Sequence, residues 1–574
     1  MRRELRYKSE NILKDRRETF RLKFIRAGEG LPMPRRAIAF VRAFCAVFLV
    51  ALLIVPFAPP TLAEGAPASA SPSPDFETVP FGDAPYEIYG VDGSVDASFI
   101  RQRVYEDGRT VDSYARDPVI RMGAGSDYAK VDGVLTFRGN NYRDTAAFGA
   151  VPEGASKLEP VWSVTVGHID EWSGVGWTGQ AVVVRWPDET RGAMRLNPEK
   201  KDKSGLTEVI YAALDGKIRF LDIEDGERTR PDIDVGAPIK GSASVDPRGY
   251  PLLYCGQGID TVGGRSVRIG TRVFSLIDQK LLFFLDGRDK LRTRNWYAFD
   301  ASPLVDAETD TLLQTGENGL VYLVRLNTQY DPAGRTVSIR PAVDRYAYKY
   351  KGAAKLGIEN SLAVYNHYGY FADNMGVLQC LNLDTLACVW AIKTGDDTDA
   401  SIALEETGGG VALYTGNELD HRDRGKCNLR RIDALTGRVV WQRDVKVAKK
   451  HDAGLFASPA IGKGQLKNLI YFNVAQTDEG GTLLALDKET GETVWSQDLG
   501  AYGWSSPVAV YDKSGRGYLI VGNSRGVLRL MDAKSGELLD FCDLGRNIEG
   551  SPVVFDDMLV VGTRGGRIVG IRIE

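Results

Sequence analysis

Seven side chains stand two residues ahead of a recurring serine: Lys240 before Ser242, Asp300 before Ser302, Glu359 before Ser361, Asp399 before Ser401, Phe456 before Ser458, Trp504 before Ser506 and Glu549 before Ser551. Trp177 holds the same place before Gly179. If these positions meet, carboxylates, a lysine and aromatic rings share one mouth. Carboxylates gathered in this way raise each other's pKa unless a cation compensates. Lys240 is one such cation, and a Ca²⁺ held by oxygens of Asp300, Glu359 and Asp399 is another. Aromatic faces beside carboxylates and a lysine suit a sugar, a quinone or a peptide. The plain alternative is a ring of solvated loop ends around a water-filled channel.

Other chemistries find less material. The histidines His168, His367, His421 and His451 share no metal-ligand spacing and read as surface or loop residues. Outside the N-terminal leader the cysteines are Cys255, Cys380, Cys388, Cys427 and Cys542, an odd number at irregular spacing and a poor disulfide framework. Cys380 and Cys388 flank one hairpin, where a bridge and two free thiols both stay open. Gly522–Gly526 matches G-x-S-x-G but falls between two strands, whereas a nucleophile elbow needs a strand-to-helix turn. The acidic stretch Asn417–Asp423 lacks the glycine and final glutamate of an EF-hand loop and reads as a solvated tip.

The elements that would position the mouth repeat along the chain. GTLLALDKETGETVW (Gly481–Trp495) alternates apolar residues into an aspartate, turns through a glycine and closes on a second short strand. This is a hairpin signal, because the pleat has period two and glycine accepts positive φ. The phrase returns as Asn428–Trp441, Gly376–Trp390 and Gly526–Leu539, with weaker copies at Gly216–Glu227, Thr271–Phe284, Gly319–Asn327 and Gly566–Glu574. The aspartate or its equivalent falls at Asp222, Asp278, Asn327, Asp384, Asp433, Asp487, Asp532 and Arg572, at intervals of 40 to 57 residues. Each period holds about four short strands, the content of a propeller blade. The last unit stops one strand short, and LEPVWSVTVG (Leu158–Gly167) reads as the missing strand. The expectation is an all-β, eight-bladed propeller of four-stranded antiparallel blades, closed by an N-terminal strand that completes the last blade.

The A-L-D-x-x-T-G-x-x-x-W phrase with its S-P-V openings resembles the pyrroloquinoline quinone (PQQ)-like repeat of quinoprotein propellers. FRGNNYRDT (Phe137–Thr145) looks like the F-R-G-N segment that often precedes them. The resemblance covers about residues 134–574. It implies that Trp390, Trp441 and Trp495 dock each blade on the next. The family includes PQQ- and Ca-dependent dehydrogenases as well as non-catalytic scaffolds such as the propeller lipoprotein of outer-membrane assembly. Its dehydrogenases usually carry two adjacent cysteines beside the cofactor, and this sequence has no Cys-Cys pair. No C-x-x-C-H for covalent haem is present either.

Residues 1–63 read as a signal peptide or N-terminal membrane anchor: Ala43–Ala58 is apolar, and 13 Lys/Arg stand against five Asp/Glu in the leader. Met33 would start a leader of ordinary length, and Thr61–Ala63 is a plausible cleavage site. The whole chain carries −4 and the leader +8, which leaves residues 64–574 at −12. So acidic a body disfavours nucleic acid. Residues 64–75 form a Pro/Ala/Ser linker, residues 76–157 an extension crossing one face of the ring, and residues 158–574 the propeller.

The function expected is an exported non-catalytic scaffold that binds an envelope or cell-surface protein, or a small ligand in the axial channel, with no cofactor. The alternatives are a PQQ- and Ca-dependent oxidoreductase, with Asp300 or Asp399 as general base, and a carbohydrate-binding propeller using Trp177 or Trp504.

Overall fold

The computed structural model describes residues 99–176, 179–353, 355–420, 426–448, 451–477 and 480–574. The leader, its cleavage site, the linker, Trp177 and His421 lie outside the described residues. Eight antiparallel blades follow one another from Val182, each with its first strand innermost. The eighth takes Val553–Phe555, Met558–Thr563 and Arg567–Ile573 from the C-terminus and its fourth strand, Leu158–Thr165, from the N-terminal side. The early strand therefore closes the ring with the last one, which leaves no unpaired edge at the seam.

The repeated phrase has a physical basis in the blade-to-blade joint. Oδ1 of Asp487 accepts the backbone N–H groups of Glu489 and Thr490, 2.9 Å each, and so fixes the turn. Gly491 then adopts φ +71°, and a Cβ there would stand 2.7 Å from the ring of Trp441 in the preceding blade. The indole of Trp441 reaches over that glycine and donates to the carbonyl of Lys488 at 2.7 Å. Trp390 on Ala434, Trp495 on Ala533 and Trp162 on Ile223 repeat the joint, each above a glycine of the next blade. The docking role expected of Trp390, Trp441 and Trp495 is the one they have.

Blade four corrects the marker series. Its turn is capped by Asn382, whose Oδ1 accepts the N–H groups of Asp384 and Thr385, so Asn382 and not Asp384 is the equivalent of Asp487. The glycine position of that turn is Leu386, at φ +51° and fully buried in the core. The preceding strand Ala342–Lys349 has no tryptophan to cover a glycine, and the leucine fills the joint instead.

The extension is more than a crossing. Arg101–Glu106 and Arg109–Val111 add two strands to the outer edge of blade three. Gly133–Val134 pairs with the innermost strand of blade one, and Ala147–Phe148 lies parallel to the innermost strand of blade eight. Between those two contacts, FRGNNYRDT enters the axis. Arg138, 1% exposed, donates to the carbonyls of Pro507 and Pro459, and Arg143, fully buried, donates to those of Leu362, Phe137 and Ser302. The prolines of the S-P-V openings on blades six and seven thus hold one end of a plug.

Candidate functional site

The serine that opens each blade forms a belt round the axis. The backbone N–H of Ser361 donates to Oγ of Ser401, Ser401 to Ser458, Ser458 to Ser506 and Ser506 to Ser551, at 2.9–3.1 Å. Ser302 donates to Ser361 and Gln180 to Ser242, each at 2.8 Å, and Ser551 donates to the carbonyl of Gly179 at 3.0 Å. Each link fixes one blade's opening against the next, so the residues two positions earlier arrive at one level. Asp300, Glu359, Asp399, Phe456 and Trp504 accordingly line one axial pocket whose floor includes Phe137 of the plug. Its enclosed space is about 30 Å³. The loop ends are not freely solvated: Lys240, Asp300, Phe456 and Glu549 are buried, and Glu359, Asp399 and Trp504 are half-buried.

Two carboxylate triads occupy the acidic side. In the first, one oxygen each of Asp300, Glu317 and Glu359 lie within 4.8 Å of one another; in the second, Asp397, Asp399 and Glu418 do the same. The set expected from the repeat is thereby divided, with Asp300 and Glu359 in one triad and Asp399 in the other. Lys240 approaches Asp300 at 3.2 Å, and Arg294 approaches Glu317 at 2.8 Å and Glu359 at 3.7 Å. Burial raises the Asp300 carboxyl against the pull of Lys240 and holds Glu317 well above its usual range. Burial also opposes the charge of Lys240, but Asp300, Glu317 and Glu359 outweigh it and keep the ammonium above its ordinary value. In the second triad burial and then the neighbouring carboxylates push Asp397, Asp399 and Glu418 all well upward.

Aromatic groups complete the mouth. Phe456 stacks on Trp504 with centroids 4.9 Å apart, which occupies one face of the indole. The ammonium of Lys240 lies 5.6 Å from the ring centre of Trp172 and 6.0 Å from that of Trp296. Glu549 accepts from Asn547 at 2.8 Å and faces Arg564 at 3.7 Å. Next to the first triad an open groove of about 590 Å³ is lined by Lys290, Arg292, Arg294, Trp296 and Lys355.

Several of these residues escape the repeat register. Glu317 sits on the turn between the second and third strands of blade three, Arg294 and Trp296 on the link between blades two and three, and Glu418 in a short strand that pairs with Ala453–Gly454. The solvated tip expected at Asn417–Asp423 is corrected at its start, because Asn417 and Glu418 are buried and only Asp420 is exposed among the described residues of that stretch. His367 is corrected too: it is 6% exposed and faces Arg121 at 2.9 Å. Cys255, Cys380, Cys388, Cys427 and Cys542 are free thiols. Gly522–Gly526 is the turn between two strands of blade seven, as expected.

Eight four-stranded blades make the chain an eight-bladed β-propeller, whose repeat resembles the PQQ-like one. Residues 479–574 match the family model described as outer membrane protein assembly factor BamB. The outer membrane protein assembly factor BamB of Kangiella koreensis is 30% identical over 138 residues, covering 24% of this chain and 30% of that protein. The same factor of Moranella endobia is 26% identical over 208 residues, covering 35% of this chain and 47% of that protein. The chain thus spans less than half the length of these curated relatives. Among solved structures, a quinohemoprotein alcohol dehydrogenase from Pseudomonas putida HK5 superposes with a TM-score of 0.52 at 14% identity, over 77% of this chain and 80% of that one, a likeness of fold.

Proposed function

We propose that the protein is an exported, non-catalytic scaffold of the cell envelope or cell surface that binds a protein partner through the rim of the acidic mouth. The observation that carries this reading is the contrast between the mouth's interior and its rim. Inside, about 30 Å³ is enclosed, far below the several hundred Å³ of a small-molecule pocket. At the rim, the half-buried Trp296 lines the basic groove with Lys290, Arg292 and Lys355, and the half-buried Trp172 shares Lys240 with it. Aromatic rings and arginine are the residue types that anchor protein interfaces. The names of the curated relatives, factors of outer-membrane protein assembly, agree with an envelope scaffold.

The oxidoreductase reading requires PQQ, a planar tricyclic anion with three carboxylates. Two triads of carboxylates gather at this mouth, and its cations, the buried Lys240 and the half-buried Arg294, already serve Asp300, Glu317 and Glu359. The residues present do not fit that cofactor.

The test is cell fractionation of the host followed by photocross-linking from a photoreactive residue placed at Trp296. A discrete cross-linked envelope protein, lost when the label is moved to the opposite face of the ring, is the expected result. A cytoplasmic location, or dye-linked alcohol oxidation by the purified chain with PQQ and Ca²⁺, would contradict the reading.

A further inference from the structure

We propose that Asp397, Asp399 and Glu418 form a binding site for one calcium ion, independent of any quinone and of the partner at the rim. Three carboxylates offer only hard oxygen donors, the chemistry of calcium or magnesium and not of zinc or copper. Their oxygens lie within 4.8 Å of one another, which is twice a calcium–oxygen bond of about 2.4 Å. A point between three oxygens so spaced lies no more than about 2.8 Å from each, so small side-chain rotations bring all three to calcium–oxygen distance.

Two independent features point to a ligand. Glu418 is 5% exposed, and its Oε2 is buried with no hydrogen-bond partner; Oδ1 of Asp399 is in the same condition. A buried charged oxygen without a partner is costly, and each such atom in a native fold calls for a neutralising group. Moreover, among the described residues no lysine, arginine or histidine forms an ion pair with these three carboxylates, whereas Lys240 and Arg294 neutralise the neighbouring triad.

The fold also holds the donors in place. The carbonyl of Asp397 accepts the N–H of Glu418 at 2.9 Å, which ties the blade-four exit to the end of the second strand of blade five. Asn417 donates to the carbonyl of Glu418 at 2.8 Å and accepts from the N–H of Asn428 at 2.8 Å. Oδ1 of Asp397 is oriented by the N–H of Thr398 at 2.6 Å. Calcium takes six to eight ligands, which three carboxylates, mono- or bidentate, and waters supply; magnesium demands a closer octahedron of about 2.1 Å bonds.

Calorimetric titration of the purified full-length chain, stripped with EDTA, tests the site with CaCl₂ and then MgCl₂. One equivalent of calcium binds, magnesium binds much more weakly, and the melting temperature rises with calcium. Glu418→Gln and Asp399→Asn each weaken calcium by about tenfold or more, as expected when ligand charge is removed, while Glu317→Gln in the other triad leaves it within about threefold. Both variants remove repulsion between buried carboxylates, so they keep or raise the melting temperature of the calcium-free protein, which separates loss of a ligand from loss of the fold. Absence of saturable calcium binding, or affinity unchanged in both variants, overturns the site. Binding of a lysine-rich peptide that is lost in Glu418→Gln, with no calcium binding, also overturns it and gives the triad to a partner's cation.

Discussion

In the triad of Asp300, Glu317 and Glu359, Lys240 stands 3.2 Å from Asp300 and Arg294 stands 2.8 Å from Glu317. In the triad of Asp397, Asp399 and Glu418, no cation stands at ion-pair distance among the described residues. Both triads are three carboxylates within 4.8 Å, at the same axial mouth, on neighbouring blades. The first is neutralised by the chain itself and the second is left in deficit. Oxygens of Asp300 and Glu317 also lack hydrogen-bond partners, so the ion pairs alone separate the two: a network where the counter-charge is built in, and a coordination site where it is not. Burial gives that difference its weight, because a charge out of water must find a partner, a proton or a metal.

The largest effect should come from breaking the satisfied triad. Lys240→Ala leaves Asp300 buried without its ammonium, and the loss of one partner from a buried pair costs about 3–5 kcal/mol. Chemical denaturation of the variant against the parent measures it. A smaller effect of opposite sign should come from the open triad. Glu418→Gln removes one of three mutually repelling buried carboxylates and stabilises the calcium-free protein by on the order of 1 kcal/mol, about one pKa unit of relieved repulsion; differential scanning calorimetry in EDTA checks the sign. If both substitutions destabilise alike, the distinction between the triads fails.

The smallest effect is a pH dependence within the first triad. Burial, then Glu359 and Asp300, holds the Glu317 carboxyl well above its ordinary 4.5 in the folded chain. The folded chain keeps a proton that the unfolded chain releases, so this group's contribution is full below its unfolded pKa and is lost as pH rises through the folded value. Glu317→Gln removes that loss. The stability of the parent relative to the variant should therefore fall as pH rises above about 4.5, the ordinary value of the carboxyl. Denaturant melts of both proteins across that rise follow it, and a difference independent of pH would contradict the assignment.

What was legible in the sequence follows the repeat. Ser242, Ser302, Ser361, Ser401, Ser458, Ser506 and Ser551 recur because each blade needs the same opening contact, and the belt places Asp300, Glu359, Asp399, Phe456 and Trp504 where the register predicts. The A-L-D-x-x-T-G-x-x-x-W phrase was readable for the same reason, since aspartate, glycine and tryptophan do the same job at the four joints where Trp162, Trp390, Trp441 and Trp495 cover a glycine. Glu317, Arg294, Asp397 and Glu418 were not legible. They lie on a single turn, a blade link and a one-off short strand, and no periodicity marks them. The extension was vague because Arg138 and Arg143 spend their donors on carbonyls from distant blades, contacts that leave no local pattern. Leu386 hid its turn because a leucine fills the joint where four others set a tryptophan on glycine.

The most direct measurement is a crystal of the protein grown with calcium and a second soaked with manganese, examined for anomalous scattering at the mouth. A single peak bounded by Asp397, Asp399 and Glu418, with none between Asp300, Glu317 and Glu359, is the predicted result. A peak in the triad that Lys240 and Arg294 neutralise, or no peak in either, would contradict the account.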